Sequence, residues 1–533
     1  MAPRDPTKTK HRVPSDSATT KRSMKETATG PAKPRPMTLN PSSKRKLADL
    51  KVEPATPSSA KSKGKTNGAD SPMSTASVAS VRSIRSTASH RRNEEPINDF
   101  PAAKTEVGDV FVFGAGSMGE LGLGPTSKDR NVKRPRLNPH LSHDEIGVVD
   151  IAVGGMHVAA LDKGGRVWTW GVNDQGSLGR DTKINASGAE QNDTDMKDED
   201  DSDSEEELLN PNESKPGLVE GFPNGVKIIK LACGDSISVA IASDGMVYSW
   251  GTFRASDGLL GYSKSDKISP RPTPIASFPS YSICQIACGT DHVLALSTTG
   301  RVFAWGNGQQ FQMGRRVIER SRTNGLIPRP LALSKIRLIG AGAYHSFAVN
   351  TAGETFAWGL NQFGQCAIGE GGEDGASVTS PTIVEGLRGY DIVWIGGGEH
   401  HSLAVTSDGK VLAWGRLDIN QLGFAKSQIP SSALPQPNAR YLPVPTVIPN
   451  IPPMKLAACG THHNIAISKA GEPYSWGYGE SYQVGHGPSA GDVEVPTKID
   501  NTATRGVDMI ACGAGGQFSV LLGLPKEEIE NGV

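Results

Sequence analysis

Cysteine is scarce, with six in 533 residues, too few to make a disulfide scaffold of a chain this long. Four of them, Cys233, Cys288, Cys459 and Cys512, stand in the same Ala-Cys-Gly phrase, the place of a small packing residue. Only Cys284 and Cys288 approach the close spacing of a zinc pair and no second pair completes it, so no metal and no cofactor is expected. No apolar stretch approaches bilayer length and no apolar core follows the N-terminal charges, which excludes a membrane span and a secretory signal from the reading. The protein is therefore expected to be soluble and intracellular. Net charge is also missing, because 56 Lys and Arg balance 56 Asp and Glu.

That balance hides a split. Residues 1–100 hold 20 Lys and Arg against nine Asp and Glu, with Phe100 as their one aromatic residue. Rich in Ser, Thr, Pro and Ala and without hydrophobic period, this segment cannot bury enough surface to offset the entropy of ordering. Residues 1–105 are expected to be a disordered basic tail. A second polar stretch, about 183–214, is acidic, running through Asp193, Asp195, Asp198 to Asp201, Asp203 and Glu205 to Glu207, and is expected to be a disordered insertion in the propeller. Ser202 and Ser204 lie within it as sites an acidophilic kinase could phosphorylate.

What is abundant is a recurring phrase: an apolar run, a glycine turn, and a second run ending in Trp-Gly. It occurs at Trp170, Trp250, Trp305, Trp358, Trp414 and Trp476, with Phe113-Gly114 as an imperfect first copy. A period of this length signals stacked or circular repeat units. In one copy, Ile283 to Leu296 alternates apolar and polar residues, Thr299-Gly300 supplies a turn, and Arg301 to Trp305 returns. That pattern is a β-hairpin.

Two central strands flanked by shorter ones make a four-stranded blade, and blades arranged radially close a propeller without a long free edge. The expected fold is all-β, a seven-bladed β-propeller over residues 106–523, followed by a C-terminal tail, 524–533. The last copy, ending at Phe518 to Leu522, lacks a Trp-Gly strand, and Asp109 to Gly114 supplies one at the other end. Ring closure by a composite blade with strands from both termini is expected. The Trp residues are expected to pack between blades.

No catalytic triad, carboxylate pair, metal cluster or Walker-type lysine loop can be assembled from these motifs. The Gly-rich phrase Gly114 to Gly119 nominally fits a dinucleotide pattern, but no helix or crossover follows it.

With its Cys-Gly or Gly-Gly turn, frequent His, Asp-Gly and Trp-Gly, the repeat resembles the regulator of chromosome condensation family, whose members form seven-bladed propellers. The copy Trp250-Gly251-Thr252-Phe253-Arg254-Ala255-Ser256-Asp257-Gly258 departs from the others and resembles the β-wedge of Ran guanine-nucleotide exchange factors. The resemblance implies that Thr252, Phe253, Arg254, Ser256 and Gly258 bind Ran. It implies further that Asp235, Asp291 and one of His400 or His401 face Ran, where the bland reading of each is a polar residue capping a turn. It also implies an arginine-bearing loop that meets nucleosomes, for which the segment of Arg315, Arg316, Arg320, Arg322 and Arg329 is the candidate.

The tail run Lys44-Arg45-Lys46 has the form read by nuclear import receptors, and a flexible cationic arm gains affinity for DNA by counterion release. The expected protein is thus a nuclear, chromatin-associated exchange factor for the GTPase Ran, serving nucleocytoplasmic transport and spindle organisation without bond chemistry. Its expected partners are Ran, the nucleosome and an import receptor. The competing reading is a propeller scaffold without exchange activity.

Overall fold

In each copy the apolar alternation and the glycine turn produce a hairpin, and the chain then adds one strand outside it and one inside. In the computed structural model, residues 95–526 are described, apart from 127, 129, 185–207, 279–280, 370, 373–374 and 490. Every described residue belongs to the unit Ser89–Val533; the unit Met1–Ala88 lies outside the description, and with it Lys44, Arg45 and Lys46. The acidic residues 193–207 lie outside it too.

Seven four-stranded antiparallel sheets follow one another. Blade 1 holds Val148–Val153, His157–Asp162, Val167–Gly171 and Gly217–Leu218. Blade 2 holds Ile228–Cys233, Ile237–Ala242, Val247–Gly251 and Ser269–Pro274. Blade 3 comprises Ile283–Cys288, His292–Ser297, Val302–Gly306 and Arg329–Pro330. Blades 4, 5 and 6 open at Ile336–Ala341, Ile392–Gly397 and Met454–Cys459 and repeat the order.

Blade 7 is the composite. Val507–Ala514 and Phe518–Pro525 pair with each other, and Asp109–Ala115 joins the latter in the register Asp109 with Gly523 and Gly114 with Phe518. The expected closure is what forms, and Asn131–Leu137 completes it on the outside.

The innermost strands line a central channel of about 550 Å³. Its wall carries Cys233, Cys288, Cys459 and Cys512; the first is buried and the other three half-buried, so the repeated cysteine is a channel-wall residue. The Trp of each Trp-Gly pair is buried at the seam between blades, and at Trp170, Trp250, Trp358, Trp414 and Trp476 the indole N–H donates to a loop carbonyl of the preceding blade. Trp358 reaches Gln312 at 2.8 Å and Trp414 reaches Gln365 at 2.8 Å. Glycine is required in that loop: at Gly423, with φ +73°, an added Cβ would lie 2.9 Å from the Trp476 indole nitrogen.

A polar staple crosses five of the seven seams. A His opening the second strand of one blade bonds through Nε2 to a Ser or Asn of the next: His157 to Ser238, His292 to Ser346, His345 to Ser402, His401 to Asn464 and His463 to Ser519, at 2.7–2.8 Å. Each Ser or Asn donates onward to a loop carbonyl, as Ser346 does to Gln312 at 2.8 Å. At the two other seams both partners are replaced together. Ile237 faces the seam with Val293, and Phe518 the seam with Val158, each pair buried in one apolar cluster. Replacing both members avoids the cost of one unsatisfied buried group.

The first residues described differ from expectation. Residues 95–105, read from composition as part of a disordered tail, form a strap against the ring. The Asn98 side chain donates to the carbonyls of Ser297 (3.1 Å) and Ile336 (2.9 Å), and Lys104 pairs with Asp150 at 2.8 Å. Three hydrogen bonds from Asn98, two by its side-chain amide and one by its backbone N–H to Thr298, join one Lys ion pair in holding the strap, and composition does not register them.

The two rims of the ring differ. The Asp-Gly and similar hairpin turns, with the strap, lie on one; the short loops opening each second strand lie on the other, together with the loops that follow each Trp-Gly.

Candidate functional site

On the second rim, blade 2 departs from its neighbours. Where blade 1 follows Trp-Gly with a Gly loop, blade 2 raises a two-stranded hairpin, Phe253–Ala255 against Gly258–Gly261. Thr252 is fully buried at its root and donates to the Lys267 carbonyl at 2.6 Å. Phe253, expected to meet a partner, is instead 1 % exposed. It fills, with Leu260 and Phe278, the space over Trp305 that a Gly loop fills over Trp at other seams. The same seam is the one where Ile237 and Val293 replace the His staple, so one apolar cluster supports the base of the hairpin.

What the hairpin presents outward is Arg254, Ser256, Asp257 and Leu259, all exposed. Leu259 carried no signal in the sequence, because only its register opposite Arg254 brings it to the same end of the hairpin. Gly258, at φ +118° and with open space where a Cβ would stand, closes the tip.

The loops opening the second strands supply the ground around the hairpin. Asp291 is 8 % exposed and its Oδ1 accepts the Arg254 backbone N–H at 2.6 Å. Burial pushes its carboxyl up to about 7; the Arg254 N–H opposes this, Asp235 adds to it and the Arg254 guanidinium opposes it. Asp235 is solvent-accessible at the channel mouth. The concave wall around it still desolvates the carboxyl and pushes it up to about 6, with the Arg254 charge opposing and Glu399 adding.

Across the mouth, His400 and His401 part company. His401 is fully buried, is pushed down to about 4 by burial, and is one of the seam staples through Asn464. It is therefore a correction to the sequence reading: it does not reach the rim. His400, one residue earlier, sits in register with Asp291 at the rim, where it receives the Gln362 amide at 3.1 Å and stacks edge-on against Phe363 at 4.9 Å. Glu399 lies between His400 (3.5 Å) and His462 (3.4 Å), and the two imidazoles, His400 foremost, hold its carboxyl below the usual range. Glu399, Tyr344 and His462 join this rim without having been singled out in the sequence. The signal available was position: each stands one or two residues before the strand-opening His, as Asp291 does.

Arg315 needs a second correction. It is half-buried, and its guanidinium points at the carbonyls of Ala304, Gly325 and Ile327 at 3.4–3.5 Å, so it props its own loop. Arg316, Arg320 and Arg329 are the exposed arginines of that segment, the first two in its loop and the last in the outer strand of blade 3.

The last part of the insertion after Thr182 differs from expectation, since residues 208–214 are ordered and Pro211–Ser214 forms a short helix with Ser214 buried; the insertion leaves blade 1 intact because its feet are tied. Thr182 donates to Glu213 at 2.8 Å and Asn210 donates to the Thr182 carbonyl at 2.9 Å. Among the described residues no group of His, Cys, Asp and Glu could hold a metal ion, and no helix is long and apolar enough to cross a membrane.

The chain matches the model of the RCC1-like domain over residues 109–521. It is 49 % identical to protein pim1 of Schizosaccharomyces pombe over 443 residues, covering 82 % of this chain and 79 % of that protein. It is 47 % identical over 420 residues to the guanine nucleotide exchange factor SRM1 of Saccharomyces cerevisiae, covering 77 % of this chain and 86 % of that one. Among solved structures, it resembles Prp20p of Saccharomyces cerevisiae, studied for its binding to Gsp1p and histones, with a TM-score of 0.73 and 43 % identity over 80 % of this chain and 94 % of that one. Yeast RCC1 (Prp20) bound to Kap60 aligns equally, at TM-score 0.73 over 91 % of that chain. This chain belongs to the RCC1-like domain family.

Proposed function

We propose that this protein is a guanine-nucleotide exchange factor for a Ran-type GTPase. The observation that carries the reading is the hairpin of blade 2, which stands where blade 1 has a Gly loop and is rooted on Asp291 at a rim lined with carboxylates. Its support from relatives is that SRM1 is named an exchange factor and that Prp20p was studied with Gsp1p.

Exchange requires only differential binding. If the rim holds the nucleotide-free GTPase more tightly than the nucleotide-bound form, it lowers nucleotide affinity by the same factor. Arg254 and Leu259 are the groups that enter the partner, while Phe253 and Thr252 anchor the hairpin from below. Asp235, Glu399 and His400 offer an acidic and hydrogen-bonding surface to basic groups of the partner. The coupling is symmetric for GDP and GTP, so direction comes from the nucleotide supply.

The wider setting follows the same reading: a nuclear, chromatin-associated protein, carried by an import receptor through Lys44, Arg45 and Lys46 and touching DNA through its basic tail. Arg316 and Arg320 replace Arg315 as the loop residues offered to histone carboxylates. The test is stopped-flow release of a fluorescent GDP from Ran. Addition of the full chain is expected to accelerate release by several orders of magnitude. Unchanged release, with the ring shown folded by circular dichroism, would return the protein to the scaffold reading.

A further inference from the structure

We propose that Gln309 and Arg322, both contributed by blade 3, are positioning residues that hold the blade 2 hairpin erect before a partner arrives. The proposal rests on the exchange reading for its functional half only.

The hairpin has strands of three and four residues, and a two-stranded hairpin of that size is marginal in water by itself. Its base is secured by Phe253 and Leu260 in the apolar cluster and by the Asp291 carboxylate under Arg254. None of these reaches the tip. The tip is held from the side by blade 3. The Gln309 side chain makes a two-point clamp on Ser256, accepting its backbone N–H at 3.0 Å and donating to its hydroxyl at 3.1 Å. Gln309 is itself fixed, since its N–H donates to the Asn307 side chain at 3.0 Å.

Arg322 forks onto Asp257 with both terminal nitrogens, at 2.7 and 2.8 Å. An exposed ion pair ordinarily contributes little, but a bidentate fork constrains orientation as well as distance. Arg322 is carried on the 3-10 segment Glu319–Leu326, whose Leu326 is buried in the same cluster as Phe253. The fork therefore rests on a buried anchor. The arginine segment that resembled a nucleosome loop thus spends one of its arginines on this brace.

A hairpin already erect does not have to be ordered when it enters the partner, so the binding free energy goes into displacing nucleotide. The test compares the full wild-type chain with R322Q, Q309A, D257N and the double variant D257N/R322Q. Two readouts are used: amide hydrogen exchange of residues 254–260 in the free protein, and release of fluorescent GDP from Ran at saturating chain.

Expected for R322Q and Q309A are at least tenfold faster amide exchange at the hairpin, an unchanged melting temperature, and at least fivefold slower GDP release. The double variant is expected to be no slower than the worse single one, because both remove one fork. Unchanged amide protection in both R322Q and Q309A would overturn the brace. Faster amide exchange with GDP release at the wild-type rate would overturn its role in exchange. If the wild-type chain itself leaves GDP release unaltered, the exchange reading and that role fall together, while the amide readout still decides whether blade 3 holds the hairpin.

Discussion

Asp291 does two jobs with one carboxyl, since it anchors the hairpin through the Arg254 N–H and carries charge at the rim. Its folded pKa of about 7 lies above the ordinary carboxylate value, so it binds a proton in the folded state that the unfolded chain has released. Its contribution to stability is full below about pH 4 and is lost as pH rises through about 7. D291N, which keeps an acceptor for the N–H, is therefore expected to raise the melting temperature at pH 8 and to leave it nearly unchanged at pH 4, as calorimetry would show. GDP release should respond in the opposite sense. The deficit of D291N is expected to be large at pH 8 and to shrink as pH falls through about 7, where the wild-type carboxyl is itself protonated. The two neighbouring histidines separate in the same way by measurement. H401A leaves the Asn464 Oδ1 without its partner in a dry seam and is expected to cost about 1–3 kcal/mol in urea unfolding, whereas H400A is expected to slow GDP release at unchanged stability.

At the scale of the element, the hairpin is an extension of the core before it is a probe. F253A is expected to destabilise the ring by about 3–5 kcal/mol, as large-to-small changes in a packed cluster do, measured by urea midpoint; L259A should leave the midpoint in place and slow GDP release. The outermost strands also have a device of their own. Pro135, Pro272, Pro330, Pro381, Pro443 and Pro496 stand in the outer strands of blades 7, 2, 3, 4, 5 and 6, where a missing N–H costs no ladder bond and discourages pairing with another sheet. These strands were faint in the sequence because prolines break the alternation that marks a strand. The inner hairpins were plain there, since period-two alternation, a glycine turn and Trp-Gly all agree on them. The hairpin of blade 2 was legible as a departure from the repeat, but the inward direction of Phe253 was not. Direction depends on what the next blade offers, and only the seam shows that Trp305 and Val293 leave an apolar space.

For the whole molecule, closure was readable from two incomplete copies that complement each other, and that is why both ends matter. A chain beginning at residue 116 would leave Phe518–Pro525 paired on one side only, with Val507–Ala514, and is expected to lose the cooperative thermal transition seen by circular dichroism. A chain beginning at residue 109 keeps the strand and loses the strap, and is expected to melt a few degrees lower than one beginning at residue 95. The strap itself was hidden because its bonds are made by single polar side chains to distant carbonyls, which no local pattern records. The rim residues Glu399 and His462 were hidden for a related reason: repeats far apart in sequence become neighbours only around the channel. The register of the composite blade has one more consequence. Since Asp109 lies beside Gly523, the last strand and the first form a hairpin lacking only its turn, on the rim away from the blade 2 hairpin. A short linker from residue 525 to residue 108 would weld the ring, and new ends could be opened at any other hairpin turn. By the same geometry, a fluorophore or solid support attached near either junction hangs from the far rim and leaves the working rim free to meet its partner.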